Sequence, residues 1–319
     1  MAAIIRKELA DYFTSIRFFV LFLLVLGFSA AGLIAAQQGV RSALLESGAV
    51  TGRGFVFLTL FTTSGNVIPA LTSFVGLFVP IIGIALGFDA INSERSNGTL
   101  SRLLSQPVYR DSVINGKFLA GVVTLTIMVA TTLLLVSGYG LRMIGVPPTA
   151  EEIIRIFIYL VLTVIYGAFW MGLAILFSVV FRKVAASLLV SLVIWIFFGF
   201  FISIIAPAVA NVISPVTDGN VQAALIQNAE MQQMLMRVSP NTLFSEATVG
   251  LLHPVLLETS MGMVSALASG QSAYMMATPL SLGQSLLFIW PHLVSLVSLS
   301  VICFAISYIM FMRQEIRAS

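Results

Sequence analysis

Charge is what this sequence lacks: only 9% of its 319 residues are Asp, Glu, Lys or Arg, against about a quarter in a soluble globular domain. With 59% hydrophobic residues and a mean hydropathy of +1.04, the chain reads as a polytopic membrane protein. Cysteine is nearly absent as well. Cys303 stands alone inside the last apolar run, with no partner for an internal disulfide or a cysteine metal site. The two histidines, His253 and His292, come with no zinc-type spacing and no carboxylate pair within the apolar runs, so an intramembrane enzyme has little support. No Asp, Glu or Lys lies deep in any run, which argues against a proton-coupled carrier, and no inverted repeat of interrupted helices is visible. Nucleotide chemistry is missing too. Asn115-Gly116-Lys117-Phe118 has neither the upstream glycine nor the following Ser or Thr of a phosphate loop, and Leu280-Ser281-Leu282-Gly283-Gln284 echoes an ATPase signature with no nucleotide fold around it.

What the chain has in abundance is long apolar runs. A bilayer core of roughly 30 Å takes about 20 helical residues, because a helix rises about 1.5 Å per residue and satisfies its own backbone in lipid. Six runs reach that length: Phe18–Ala36, Ile68–Phe88, Phe118–Leu141, Ile153–Phe181, Val184–Ala206 and Leu286–Met312. The expected fold class is therefore all-α, with six transmembrane helices. The first run is longer than a signal-peptide core of roughly 7 to 15 residues and is expected to remain as an anchor. Within the second, Gly83 and Gly87 form a small-xxx-small pair and Pro80 should bend the helix.

The net charge of +3 reads as an orientation signal and not as a nucleic-acid surface. Arg6, Lys7, Arg17, Arg95, Arg102, Arg110, Lys117, Arg182, Lys183, Arg313 and Arg317 crowd one set of run ends. Arg41, Arg53, Arg142, Arg155 and Arg237 are spread over much more sequence on the other side. The positive-inside rule then puts both termini in the cytoplasm of a multi-pass cell-membrane protein. Ahead of the first run, Ile5, Leu9, Tyr12, Phe13 and Ile16 fall at helical offsets 0, 4, 7, 8 and 11, with Arg6, Lys7, Glu8 and Asp11 elsewhere on the wheel. This segment is expected to lie in the membrane interface as an amphipathic helix, the plainer reading being a continuation of the first span into water.

One polar island interrupts the apolar chain. The thirty residues Phe88–Lys117 hold four of the sixteen Lys and Arg and three of the thirteen acids. Leu100, Leu103 and Leu104 recur at helical spacing, Ser96 or Asn97 can cap the turn before them, and Pro107 ends it. A three-leucine ridge needs an apolar cover, either the protein's own helix ends or a groove on a soluble subunit. Asn97-Gly98-Thr99 is a glycosylation sequon on the wrong side of the membrane for use. Gly116 and Lys117 are expected to re-enter the membrane and anchor at the headgroups.

The pattern Asp89-x-Ile91-x-x-Glu94, Gly98-Thr99-Leu100, Leu103-Leu104, Pro107, Arg110 and Gly116-Lys117-Phe118 resembles the loop after the second span in permeases of type-2 ATP-binding-cassette (ABC) exporters. It is most similar to the branch that contains the copper-maturation permease of nitrous oxide reductase. The topology matches along the whole chain, although the stretch 207–285 is longer than the family core needs. The resemblance implies a permease without ATPase activity of its own. Two copies of a separate ABC ATPase subunit would carry ATP and Mg, no cofactor would sit in this chain, and a second protomer, in a homodimer, would complete the pathway. It assigns ATPase coupling to Glu94, Gly98, Thr99, Leu100, Leu103, Leu104, Pro107 and Arg110. It also assigns the pathway to the first, second and fifth spans. In the fifth, Trp195, Phe197, Phe198, Phe200 and Phe201 form an aromatic wall suited to a hydrophobic or lipid-like substrate, unless the rings simply face acyl chains.

The expected organisation is residues 1–206 as interfacial helix and five spans with a cytoplasmic loop at 89–117, residues 207–285 as an external helical cap, and residues 286–319 as the last span and tail. In the first external loop, the patch Phe55–Phe61 is too short to span and would pack on the membrane surface or under a neighbouring loop. Seven of the thirteen methionines lie in the cap. Thioethers suit copper(I), and Met231 with Met234 is the pair such a site would use. Methionine as flexible apolar filler is the simpler account, so no metal site is assigned. The size of the cap keeps a second function open, a non-transporting force transmitter or assembly factor acting on an external partner protein, for example in metal-centre maturation.

Overall fold

The computed structural model describes residues 1–47, 55, 57–64, 68–96, 98, 109–145, 147–215, 221–253 and 280–314. No strand occurs among them, and six helices are long and apolar enough to cross a bilayer: Ile16–Gln38, Leu71–Ser96, Arg110–Met143, Ala150–Val180, Val184–Ile213 and Leu282–Arg313. These are the six expected spans, most of them extended by a turn or two at one end or both.

In chain order the helices are α1 (Ala2–Thr14), α2 (Ile16–Ser47), the short α3 (Thr59–Thr62), α4 (Leu71–Gly87), α5 (Asn92–Ser96), α6 (Arg110–Ile144), α7 (Ala150–Val180) and α8 (Val184–Ile196). A π-helical turn at Phe197–Phe201 leads to α9 (Ile202–Ile213), followed by α10 (Val221–Met236), α11 (Pro240–Leu252) and α12 (Leu282–Arg313). The chain forms two compact units, Met1–Val193 with Leu296–Ser319, and Ile194–Ser295.

In the first unit, α4 and α7 pack nearly backbone to backbone. A Cβ on Gly83 would sit 2.5 Å from the Gly167 carbonyl oxygen, and one on Gly87 would sit 2.6 Å from that of Met171. Only glycine admits this approach, so the small-xxx-small pair is the contact itself. Pro80 lies within α4 without ending it. Having no N–H, it leaves the Gly76 carbonyl without its helical donor, and the Tyr166 hydroxyl of α7 donates to that oxygen at 3.2 Å. The seam thus supplies the bond that the proline removes. Trp170, Tyr159 and Tyr166 are fully buried beside it.

The far end of the same unit carries the patch between the first two spans. Phe57, Leu58, Leu60 and Phe61 are buried, with Leu60 lying over Gly140 of α6. Thr149 and Glu152 close a capping box at the start of α7. The second oxygen of Glu152 accepts the Phe57 amide at 2.8 Å, while the buried Arg155 pairs with Glu151 and stacks on Phe55. The patch therefore packs on the ends of α6 and α7.

In the second unit, the Ser239 hydroxyl donates to the Phe198 carbonyl at 2.8 Å and accepts the Asn241 amide, so one side chain caps α11 and occupies a carbonyl of the π turn. Glu246 of α11 gathers His292 Nε2 at 2.7 Å, Arg237 Nε at 2.8 Å and Gln233 Nε2 at 3.2 Å. Burial pushes its carboxyl up, but these three hydrogen bonds outweigh burial and hold it below the ordinary carboxylate range.

Two outcomes follow from these contacts. Gly87→Leu should lower the melting temperature of the purified protein, since overpacking of this kind costs about 1–3 kcal/mol where neighbours can move and more against backbone. A group with a depressed folded value adds stability above its unfolded value and loses it as pH falls through the folded one. Glu246→Gln should therefore melt earlier than the parent at pH 7, with the gap closing below about pH 4; a gap constant with pH would exclude the ionised cluster as its source.

Candidate functional site

The richest polar chemistry in the first unit lies where α1 and the end of α12 meet the ends of α4, α6 and α7, here termed the terminal face. Helix α1 stops at Thr14, Ser15 turns to φ −78° and ψ 136°, and α2 starts anew. The amphipathic segment is thus a separate helix and not an extension of the first span. Its inward face differs from the apolar stripe read from the sequence. Ile4, Glu8 and Tyr12, at i, i+4 and i+8, turn toward α6 and α4. Ile4 lies on Gly116, Glu8 meets Lys117, and the Tyr12 hydroxyl donates to the Leu86 carbonyl at 2.9 Å. Ile5 and Leu9 are half-buried, whereas Phe13 is 43% exposed and Ile16 82%. That uncovered stripe is what a membrane interface would take.

At the centre stands Lys117, and the headgroup anchor expected there is not what the structure holds. Its side chain is 6% exposed, with Nζ 2.9 Å from Glu8 Oε1 and 3.4 Å from Glu94 Oε1. Lys7 Nζ approaches the same two oxygens at 3.2 and 3.6 Å. Two ammoniums and two carboxylates alternate, and the exposed Asp11 Oδ2 also lies 3.3 Å from Lys7 Nζ. Burial lowers the affinity of Lys7 for its proton, but the Glu8 and Glu94 carboxylates more than compensate and leave it raised. Burial, with the neighbouring Glu8, Asp89 and Asp11 charges, pushes the Tyr12 phenol far up, so it stays a donor. Removing one partner of the buried Glu8–Lys117 pair typically costs about 3–5 kcal/mol, because the remaining charge stays desolvated.

The second span brings Glu94 to this place. Past Gly87 the chain does not turn into solvent: Ala90, Ile91 and Asn92 are buried, and the Ser178 hydroxyl of α7 accepts the amides of Ile91 and Asn92 at 2.9 and 3.1 Å. This fixes α5, whose first turn carries Glu94. Arg17 at the start of α2 pairs with Asp89 and lies 5.5 Å from the centroid of the Phe88 ring. The polar island is thus partly interior. It links α1, α2, α4, α6 and α7 through named side chains.

Of the expected coupling residues, Glu94 points into the quartet, Gly98 has φ +69°, and Arg110 opens α6, donating to the Gln314 carbonyl at 3.1 Å. Thr99, Leu100, Leu103, Leu104 and Pro107 lie outside the described residues. In the fifth span, Trp195 is 9% exposed, while Phe197, Phe200 and Phe201 are exposed and Phe198 half-buried. Met231 and Met234 sit one turn apart on α10, half-buried and exposed respectively. Among the described residues, no three His, Cys, Asp or Glu side chains group as metal ligands. The sequence reading missed Glu8 and Lys117. Both were visible as charges, Glu8 on the polar side of α1 and Lys117 just ahead of the third apolar run, but neither segment alone signals that they meet.

Residues 2–316 match the family described as ABC-2 family transporter protein. Over 130 residues the chain is 30% identical to the probable ABC transporter permease protein NosY of Pseudomonas aeruginosa. That stretch is 40% of this chain and 42% of that relative, so the match spans less than half the length of each. Six apolar spans and a family match over nearly the entire chain lead to one conclusion: the chain belongs to the ABC-2 transporter family and is a multi-pass transmembrane ABC permease.

Proposed function

We propose that this permease is the membrane half of an ATP-driven exporter, working as a homodimer with two copies of a separate ABC ATPase. Both termini face the cytoplasm, and the ATPase docks on the loop between α5 and α6 through Leu100, Leu103 and Leu104. The observation that carries this reading is the quartet of Lys7, Glu8, Glu94 and Lys117 at the root of that loop. Ion pairs centred on the buried Lys117 resist shear between their members, so a displacement of the loop is passed to α1 and α6 together as rigid-body motion. ATP and Mg belong to the ATPase, and this chain contributes no catalytic group. The exposed Phe197, Phe200 and Phe201 of the fifth span favour a hydrophobic or lipid-like substrate.

Co-purification from native membranes tests the docking. The parent should bring down an ABC ATPase, and Leu103→Asp with Leu104→Asp should lose it while the permease stays monodisperse. An ATPase retained by that variant, or missing from the intact parent, would sink the proposal. Transmission is tested separately. Glu94→Gln should keep the ATPase bound yet reduce permease-dependent stimulation of ATP hydrolysis by about tenfold, the size of an ordinary coupling free energy. Undiminished stimulation would remove the quartet from the mechanism.

A further inference from the structure

A second group of charges on the terminal face is built differently from the quartet. Gln314, directly after α12, joins three elements: its side-chain oxygen accepts from the Arg95 guanidinium, its main-chain oxygen accepts Arg110 Nη1 at 3.1 Å, and its Nε2 donates to the Val179 carbonyl at 2.8 Å. Arg182 follows two residues after α7 ends and is near enough for its positive charge to act on Arg95. Two guanidiniums thus meet at one glutamine, Arg182 follows three residues after the Val179 carbonyl that Gln314 holds, and among the described residues none of the three pairs with a carboxylate. Their partners are a carboxamide and a main-chain carbonyl. Each guanidinium has five donors, so among the described residues most of the donor capacity is unspent and no carboxylate offsets the mutual repulsion. Three other arginines, Arg17, Arg155 and Arg237, each hold a carboxylate.

Position selects the counter-ion. Arg95 is the penultimate residue of the second span, Arg110 is the first of the third, Arg182 comes two after the fourth and Gln314 comes one after the sixth. Four span ends fall at one level, where a bilayer places its phosphates, and Arg95 and Arg110 are held by hydrogen bonds instead of trailing into water. We propose that Arg95, Arg110 and Arg182 form a binding site for the phosphate of an anionic phospholipid headgroup, received between the inner ends of the second, third, fourth and sixth spans. Guanidinium and phosphate match in geometry as well as charge, two parallel N–H groups meeting two oxygens. The site does not involve the quartet and does not depend on the ATPase proposal.

The test is native mass spectrometry of the full-length chain in detergent with phosphatidylglycerol or phosphatidylcholine of identical acyl chains, each with and without inorganic phosphate. The parent should retain phosphatidylglycerol in preference to phosphatidylcholine. Each charge removed in Arg95→Gln, Arg110→Gln and Arg182→Gln should weaken that retention about fivefold at low salt. Because Arg95 and Arg110 also hold Gln314, Arg182→Gln alone is the decisive variant, with its melting curve in phosphatidylcholine discs expected to match the parent. Equal retention of both lipids, or unchanged preference in Arg182→Gln, overturns the site. Displacement of the lipid by millimolar phosphate would make it a free-anion site instead. Loss of the ATPase from Arg182→Gln with lipid preference intact would assign the arginines to the partner protein.

Discussion

The approach of the second and fourth spans at Gly83 and Gly87 is the constraint on which the terminal face depends. With the two backbones in contact, Ser178 of α7 comes within hydrogen-bonding distance of the amides of Ile91 and Asn92, just past the end of α4. That bond keeps the chain against the protein for one more turn, which sets the position of Glu94. Glu94 and Glu8 together make it possible to bury Lys117, and Lys117 in turn determines which face α1 presents. The close approach of two helices thus propagates, through one hydroxyl and one ammonium, to the placement of a helix at the start of the chain.

This dependence explains why so much of the architecture was legible in the sequence and so little of the site. Span number, span limits, the separate first helix and the glycine pair follow from bilayer thickness and from the absence of Cβ atoms, which are properties of single segments. The face of α1 is not such a property. A helical wheel sorts residues by their affinity for water, and on that scale Ile5, Leu9, Tyr12, Phe13 and Ile16 belong on the membrane side while Glu8 belongs in water. The protein inverts part of this order because two other segments supply Lys117 and a surface smooth enough, at Gly116, to admit Ile4. Pairing across a hundred residues leaves no periodic trace in either segment. Pro80 was legible as a disturbance in the second span, but its remedy, the Tyr166 hydroxyl on Gly76, belongs to a different helix.

The positive-inside rule treats every base near a span end as one vote for orientation. In the folded chain the bases of the terminal face separate into two kinds. Lys7, Lys117 and Arg17 are matched by Glu8, Glu94 and Asp89, and the matched sets fasten α1 and α2 to the turn after α4. Arg95 and Arg110 are held by neutral oxygens of a single glutamine, with Arg182 close by. Matched charges gain most from being fixed in place, because separating them exposes desolvated ions. Unmatched charges that are nonetheless fixed have given up side-chain entropy without gaining a counter-ion among the described residues. Such an arrangement is favourable only where an external negative charge is dependably present. At the end of a transmembrane span that charge is the membrane itself, so the same sequence feature that orients the chain also prepares a place on it for lipid.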